Sequence, residues 1–248
     1  MNELDKIIEE YFPEHPFSNI PETVDYQKVL SNLIAYSQAF PYLQAGSQKD
    51  IFFHYLEKGE EIPKHVEYTS VVGNFLCWDE TGGLYATLVR GLKGLPNILD
   101  TDKFHSNILK KDCRKLFNKE IYPEYSQITK EHLIKLYNGL SSLCPVTRTA
   151  YMVSFESHAE RLITALWESL TQKFKVSKNS LSYFFMHVGG EKPAEFYHVE
   201  MTRKLIEKTT VGFEKDFLEK FKQAYSFHFN WCKDIIRISN VAVSQDSA

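Results

Sequence analysis

A chain of 248 residues, 43% hydrophobic and 25% charged, is long enough to bury one large core. Its 29 basic and 32 acidic residues leave a formal charge of −3 with no basic block, which argues against a nucleic-acid partner and makes a small molecule the expected substrate. The acidic start MNELDKIIEEYF has no secretory pattern, no run is long enough to span a membrane, and Cys77, Cys113, Cys144 and Cys232 form no Cys-x-x-Cys pair. The expectation is a soluble, cytoplasmic protein with neither a thiolate zinc site nor a disulfide frame.

Apolar residues recurring three and four apart predict helices over 24–43, 65–80, 102–118, 130–143, 147–174, 193–208 and 213–238. Proline and glycine gather between them, at Pro41 to Gly46, Gly59 to Pro63, Gly82 to Pro96, Pro145, Gly189 to Pro193 and Gly212. None of these breaks resembles an interdomain linker. The predicted fold is all-α, a single domain over 1–238 built as a bundle of about seven or eight helices, with a frayed polar tail at 239–248.

Side-chain direction follows from about 100° of rotation per residue. In EYTSVVGNFLCWDETGG, Glu80 follows Gly73, Leu76 and Cys77 on a helix apolar on nearly every side. In TDKFHSNILKKDCRKLF, His105 shares a stripe with Ile108, Leu109 and Leu116. Glu156 sits inside the stripe Met152, Ala159, Ile163, Trp167 and Leu170, with Glu160 at its edge and His158 projecting to the polar side. SLSYFFMHV places His187 beside Tyr183 and Phe184. Pro193 suits the start of another helix, on which Glu195 and His198 share the face of Val199, Thr202 and Leu205 while Glu200 points to solvent.

A buried, unpaired carboxylate costs several kcal/mol, so these inward groups need protons, cations or a metal. Arg148 and Arg161 do not share the face of Glu156, and Arg203 faces away from Glu195. Oxygen and imidazole donors without thiolate suit iron or manganese, and Glu-x-x-His on a bundle helix is a di-iron geometry. Taken singly, each residue also reads as a hydrogen-bonded core group, with 14 tyrosines available as partners. His15, His54, His65, His132 and His228 are read as structural or surface residues.

The order DETGG, a downstream His, FESHAE, and then FFMH followed by Glu-x-x-His resembles the haem-oxygenase-like helical superfamily over residues 65–210. Within it the likeness is to the non-haem di-iron oxidases and oxygenases, the group that includes the chlamydial death-domain-associated protein. That resemblance implies Glu80 and His105 as one ligand pair, Glu156 as the second-helix carboxylate, and His187, Glu195 and His198 as the last set. It also implies two iron ions, with manganese as a substitute, no haem, and O2 with a small organic substrate as partners.

The sequence departs from the family pattern at three points. Glu80 and His105 are separated by LYATLVRGLKGLPNIL, with Thr87 where a closer His would stand. GGEKP lies between His187 and Glu195, so Glu191 competes for the carboxylate role, and Glu195 replaces an Asp. Other superfamily members, such as pyrroloquinoline-quinone synthase and the thiaminase-type hydrolases, are metal-free. SSLCPVTRTAY puts Cys144 where the latter place their nucleophile, although Arg148 stands where they show a Tyr. A non-catalytic helical ligand-binding protein is the third reading, and a homodimer is compatible with all three.

Overall fold

The computed structural model describes residues 3–91, 99–191 and 193–241, which form ten α-helices and, apart from a single bridge between Val24 and Asn240, no β structure. The all-α expectation is met, but ten helices replace seven or eight. The additions are short: α1 (Glu3–Tyr11), α4 (Gly83–Arg90) and α8 (Ser182–Val188). Among the described residues no helix is long and apolar enough to cross a membrane.

The second helix, α2 (Tyr26–Lys58), begins at Asp25, whose side chain accepts the Gln27 N–H at 2.8 Å, and ends at Gly59 with φ +65°. The expected break at Pro41 to Gly46 does not occur. Pro41 lies inside α2, because residues on both sides of it are packed against α3 (Lys64–Glu80) and α6 (Gln127–Leu140), which outweighs one lost helical hydrogen bond. A close approach at Gly139 lets α6 reach the next helix, since a Cβ there would overlap the Tyr151 ring.

Helix α7 (Pro145–Phe174) is the axis of the molecule. Proline at its first position fits the missing amide donor, and the helix packs against α10 (Glu214–Ile238), α9 (Ala194–Thr209), α6 and α8. Because neighbours surround it, even Arg148, Ser154 and His158 are buried. His158, expected on a polar side, has only 2% of its surface exposed, since α10 covers that side.

Two apolar clusters flank this axis. One joins α2, α5 (His105–Phe117), α6, α7, α8 and α10. The other pairs Leu4 and Ile8 of α1 with Val146, Val153, Phe217 and Phe221. Of the expected tail, residues 239–241 are fastened: Asp25 N–H donates to Ser239 O at 2.8 Å and Val241 N–H to Thr23 O at 3.1 Å. Residues 242–248 lie outside the described residues.

Candidate metal centre

Five elements deliver polar groups to one place in this apolar frame. Glu80 is the last residue of α3, which stops where Gly82 turns at φ +81°. His105 is the first residue of α5, Glu156 lies mid-way along α7, His187 is in the last turn of α8, and Glu195 and His198 occupy the first turns of α9. The 24 residues between Glu80 and His105, which include α4, do not keep the two side chains apart; residues 92–98 of that connection lie outside the described residues.

The six residues fall into two neighbouring triads. In the first, His105 Nδ1 lies 3.1 Å and His187 Nε2 3.9 Å from the same Glu80 oxygen, and the two imidazoles are edge to face at 4.7 Å. In the second, His198 Nδ1 lies 3.5 Å from Glu156 Oε2 and 3.8 Å from Glu195 Oε2. Each triad presents three donor atoms within 4.8 Å of one another, the arrangement an ion needs. Glu191 is exposed, leaving Glu195 as the inward carboxylate, and Glu200 is exposed and paired with Lys204 at 2.9 Å.

The outward edges of the rings are spoken for. His187 Nδ1 donates to Tyr183 O at 2.7 Å and Nε2 faces Glu80; burial works against charge on the ring, but Glu80 and Glu195 raise its pKa in the metal-free protein. His198 Nε2 donates to Asp79 Oδ2 at 2.8 Å, which aims Nδ1 at the glutamates. Carboxylate or carbonyl groups holding the far nitrogen of an imidazole are the usual supports of metal-bound histidines. Asp79 is 5% exposed, and the sequence reading missed it. Its signal was the adjacent pair Asp79–Glu80 on a helix with no polar side.

Electrostatics shows that Glu156 and Glu195 are under-compensated. Burial pushes Glu195 up to about 8 and the neighbouring Glu156 carboxylate adds to the shift, against the pull of His198. Burial likewise raises Glu156, with His198 opposing. Burial would raise Glu80 too, but His105 and His187 hold it below the ordinary range. For His198, burial works downward and is overcome by hydrogen bonding to Asp79 and Glu156. Glu156 Oε1, Glu195 Oε2 and His105 Nδ1 make no aligned hydrogen bond, and buried atoms of this kind rarely go unsatisfied.

A narrow cavity of about 30 Å³ adjoins the carboxylates. Tyr36, Ser37 and Phe40 of α2, Phe155 and Leu162 of α7, and Tyr183 of α8 form its wall, in which Phe40 and Phe155 stack at 3.9 Å. Among the described residues no Lys or Arg lines it. Of the aromatic residues noted near the site in the sequence, Tyr183 borders the cavity, Tyr197 is exposed, and Tyr151 and Trp167 do not line it.

Cys144 is exposed at the N-cap of α7, twelve residues and about 18 Å along the helix from Glu156. Arg148 is fully buried, but its guanidinium bonds Thr69 Oγ1 at 3.0 Å, Ser142 O at 2.6 Å and His65 Nδ1 at 2.8 Å and is thereby engaged away from the glutamates.

No protein-family model matches the chain, and a search of curated proteins likewise returned no match.

Proposed function

We propose that the protein is a non-haem di-iron oxidase or oxygenase of haem-oxygenase-like fold, acting with O2 on a small organic substrate admitted when the narrow cavity beside the carboxylates opens. One observation carries the reading: two neighbouring triads of buried carboxylate and imidazole atoms each converge within 4.8 Å, with Glu156 Oε1 and Glu195 Oε2 left without an aligned hydrogen bond.

The residues present fit a pair of hard or borderline divalent ions, which Glu80, His105, His187, Glu156, Glu195 and His198 would hold. When bound, ferrous ions would supply O2 binding and the electrons for oxidation. The protein's own part is positional. Asp79 and the Tyr183 carbonyl fix two imidazole tautomers, the three glutamates offset the added positive charge, and the wall of Tyr36, Phe40, Phe155 and Leu162 excludes water. With no Lys or Arg among the described residues of that wall, a neutral or cationic substrate is favoured over an anion.

The test is anaerobic Fe(II) loading of metal-stripped protein, with iron counted per chain. About two irons are expected in the wild type and a loss of binding in folded Glu156→Ala and His198→Ala variants. Folded wild-type protein that takes up no specific iron refutes the proposal. The cysteine reading is disfavoured by the distance of Cys144 from the cavity, and Cys144→Ala should leave iron uptake unchanged.

A further inference from the structure

The side of α7 that meets α10 presents a second set of donors. His158 Nε2 lies 3.3 Å from His15 Nε2 and 3.9 Å from Cys232 Sγ, and the three atoms all fall within 4.8 Å of one another. They come from the residue preceding the 3-10 turn Pro16–Asn19, from α7 and from α10, and all three residues are buried. Separations of 143 and 74 residues hid the group from any spacing rule.

We propose that His15, His158 and Cys232 form a separate site for a thiophilic d10 ion, Zn(II) or Cu(I), independent of the glutamate centre. Metal–nitrogen bonds of about 2.0–2.1 Å at a tetrahedral angle put two imidazole nitrogens about 3.3 Å apart, and a metal–sulfur bond of about 2.3 Å puts sulfur about 3.6 Å from nitrogen. The observed separations are 3.3 and 3.9 Å, whereas a direct nitrogen-to-nitrogen hydrogen bond closes to about 2.9–3.0 Å. Two imidazoles and a thiol with no carboxylate form a softer donor set than either glutamate triad, so the two places select different ions.

The ion also has a way in. His15 borders an outer groove with Pro13, Glu14 and Arg161, whereas the glutamates open on the inner cavity, which His158 reaches from the other side.

Binding requires two proton movements and no electron transfer. Cys232 releases its thiol proton to solvent as the metal–sulfur bond forms, and the His15 proton moves from Nε2 to Nδ1. The second movement displaces a hydrogen bond, because His15 Nδ1 accepts the Phe17 N–H at 3.1 Å in the metal-free protein. One neutral hydrogen bond is weaker than coordination by three ligands, so the turn at Pro16–Asn19 yields.

The experiment is anaerobic Co(II) titration of metal-stripped full-length protein in a Cys144→Ser background, which removes the exposed thiol. The readout is thiolate-to-cobalt charge-transfer absorption, followed by Zn(II) competition with a chromophoric chelator. One equivalent of thiolate-bound cobalt is expected, unchanged by His198→Ala, with Zn(II) binding at least a hundredfold weaker in Cys232→Ser. If Cys232→Ser does not fold, His15→Ala at the groove edge is read in the same way. Absence of the absorption in folded protein, or an absorption that survives loss of Cys232 or His15, overturns the site. Because His198→Ala removes the glutamate centre alone, failure of one site is distinguishable from failure of the other.

Discussion

Glu195→Gln should stabilise the metal-free protein while weakening its metal binding. The Glu195 carboxyl is 3% exposed, faces Glu156, and has its pKa pushed up to about 8 from an ordinary 4.5. An acid raised on folding binds more protons in the native than in the unfolded state, so its penalty is present above the unfolded pKa and fades as pH falls toward it. At pH 7 the penalty is about 3 kcal/mol; it grows to about 5 kcal/mol above pH 9 and vanishes near pH 4. Glutamine keeps the shape, carries no charge, and offers an N–H to the under-bonded Glu156.

Urea and thermal unfolding of stripped wild type and variant measure the difference. A gain of about 3 kcal/mol corresponds to roughly 6–12 °C in Tm for a chain of this size. Iron affinity should fall at least about tenfold in the same variant, since a ligand oxygen is lost. A metal-free Glu195→Gln protein no more stable than wild type at pH 7, or one whose gain does not shrink on acidification, would refute the account of a carboxylate held under strain for metal binding.

Three further outcomes are expected. Asp79→Asn should lower Fe(II) affinity by about 10–100-fold with the protein still folded, because Asp79 orients His198 and contributes no ligand of its own in this reading; isothermal titration at one pH measures it. His228 is held down to about 3 by burial and by Lys135, so its contribution to stability is full above the unfolded value of 6.5 and is lost as pH falls toward 3. At pH 5 that loss is about 2 kcal/mol, and His228→Phe should remove that much of the change in unfolding free energy between pH 7.5 and pH 5; an unaltered pH profile would refute the assignment. Gly139→Ala should cost about 1–3 kcal/mol in urea unfolding, because the new methyl group meets the Tyr151 ring at the α6–α7 contact.

Periodicity located the long helices and the inward direction of Glu80, His105, Glu156, Glu195 and His198, because each lies on a helix with a distinct apolar stripe or none but apolar sides. It failed where the environment of a helix differs from a single buried face. His158 projects away from the stripe of α7, yet α10 closes over it; a helix at the centre of a bundle has no polar side to predict. Pro41 reads as a terminator only if nothing holds the flanking turns, and α3 and α6 hold them. His15 and Cys232 carried no signal at all, since their significance comes from chain segments that meet only in the folded molecule.

Pro41 has one more effect. A proline cannot supply the amide proton that the Ser37 carbonyl, four residues earlier, would otherwise receive, and Tyr36, Ser37 and Phe40 are the α2 wall of the cavity. On the α7 side the only proline stands at the first position, where it costs the ladder nothing. Loosening a turn therefore breaks one hydrogen bond fewer at residues 37–41 of α2 than at the facing turn of α7, which makes α2 the cheaper door to a chamber shut by packed rings. Amide deuterium uptake should be fastest there among the cavity-lining backbone segments, and a ligand that fills the chamber should slow it.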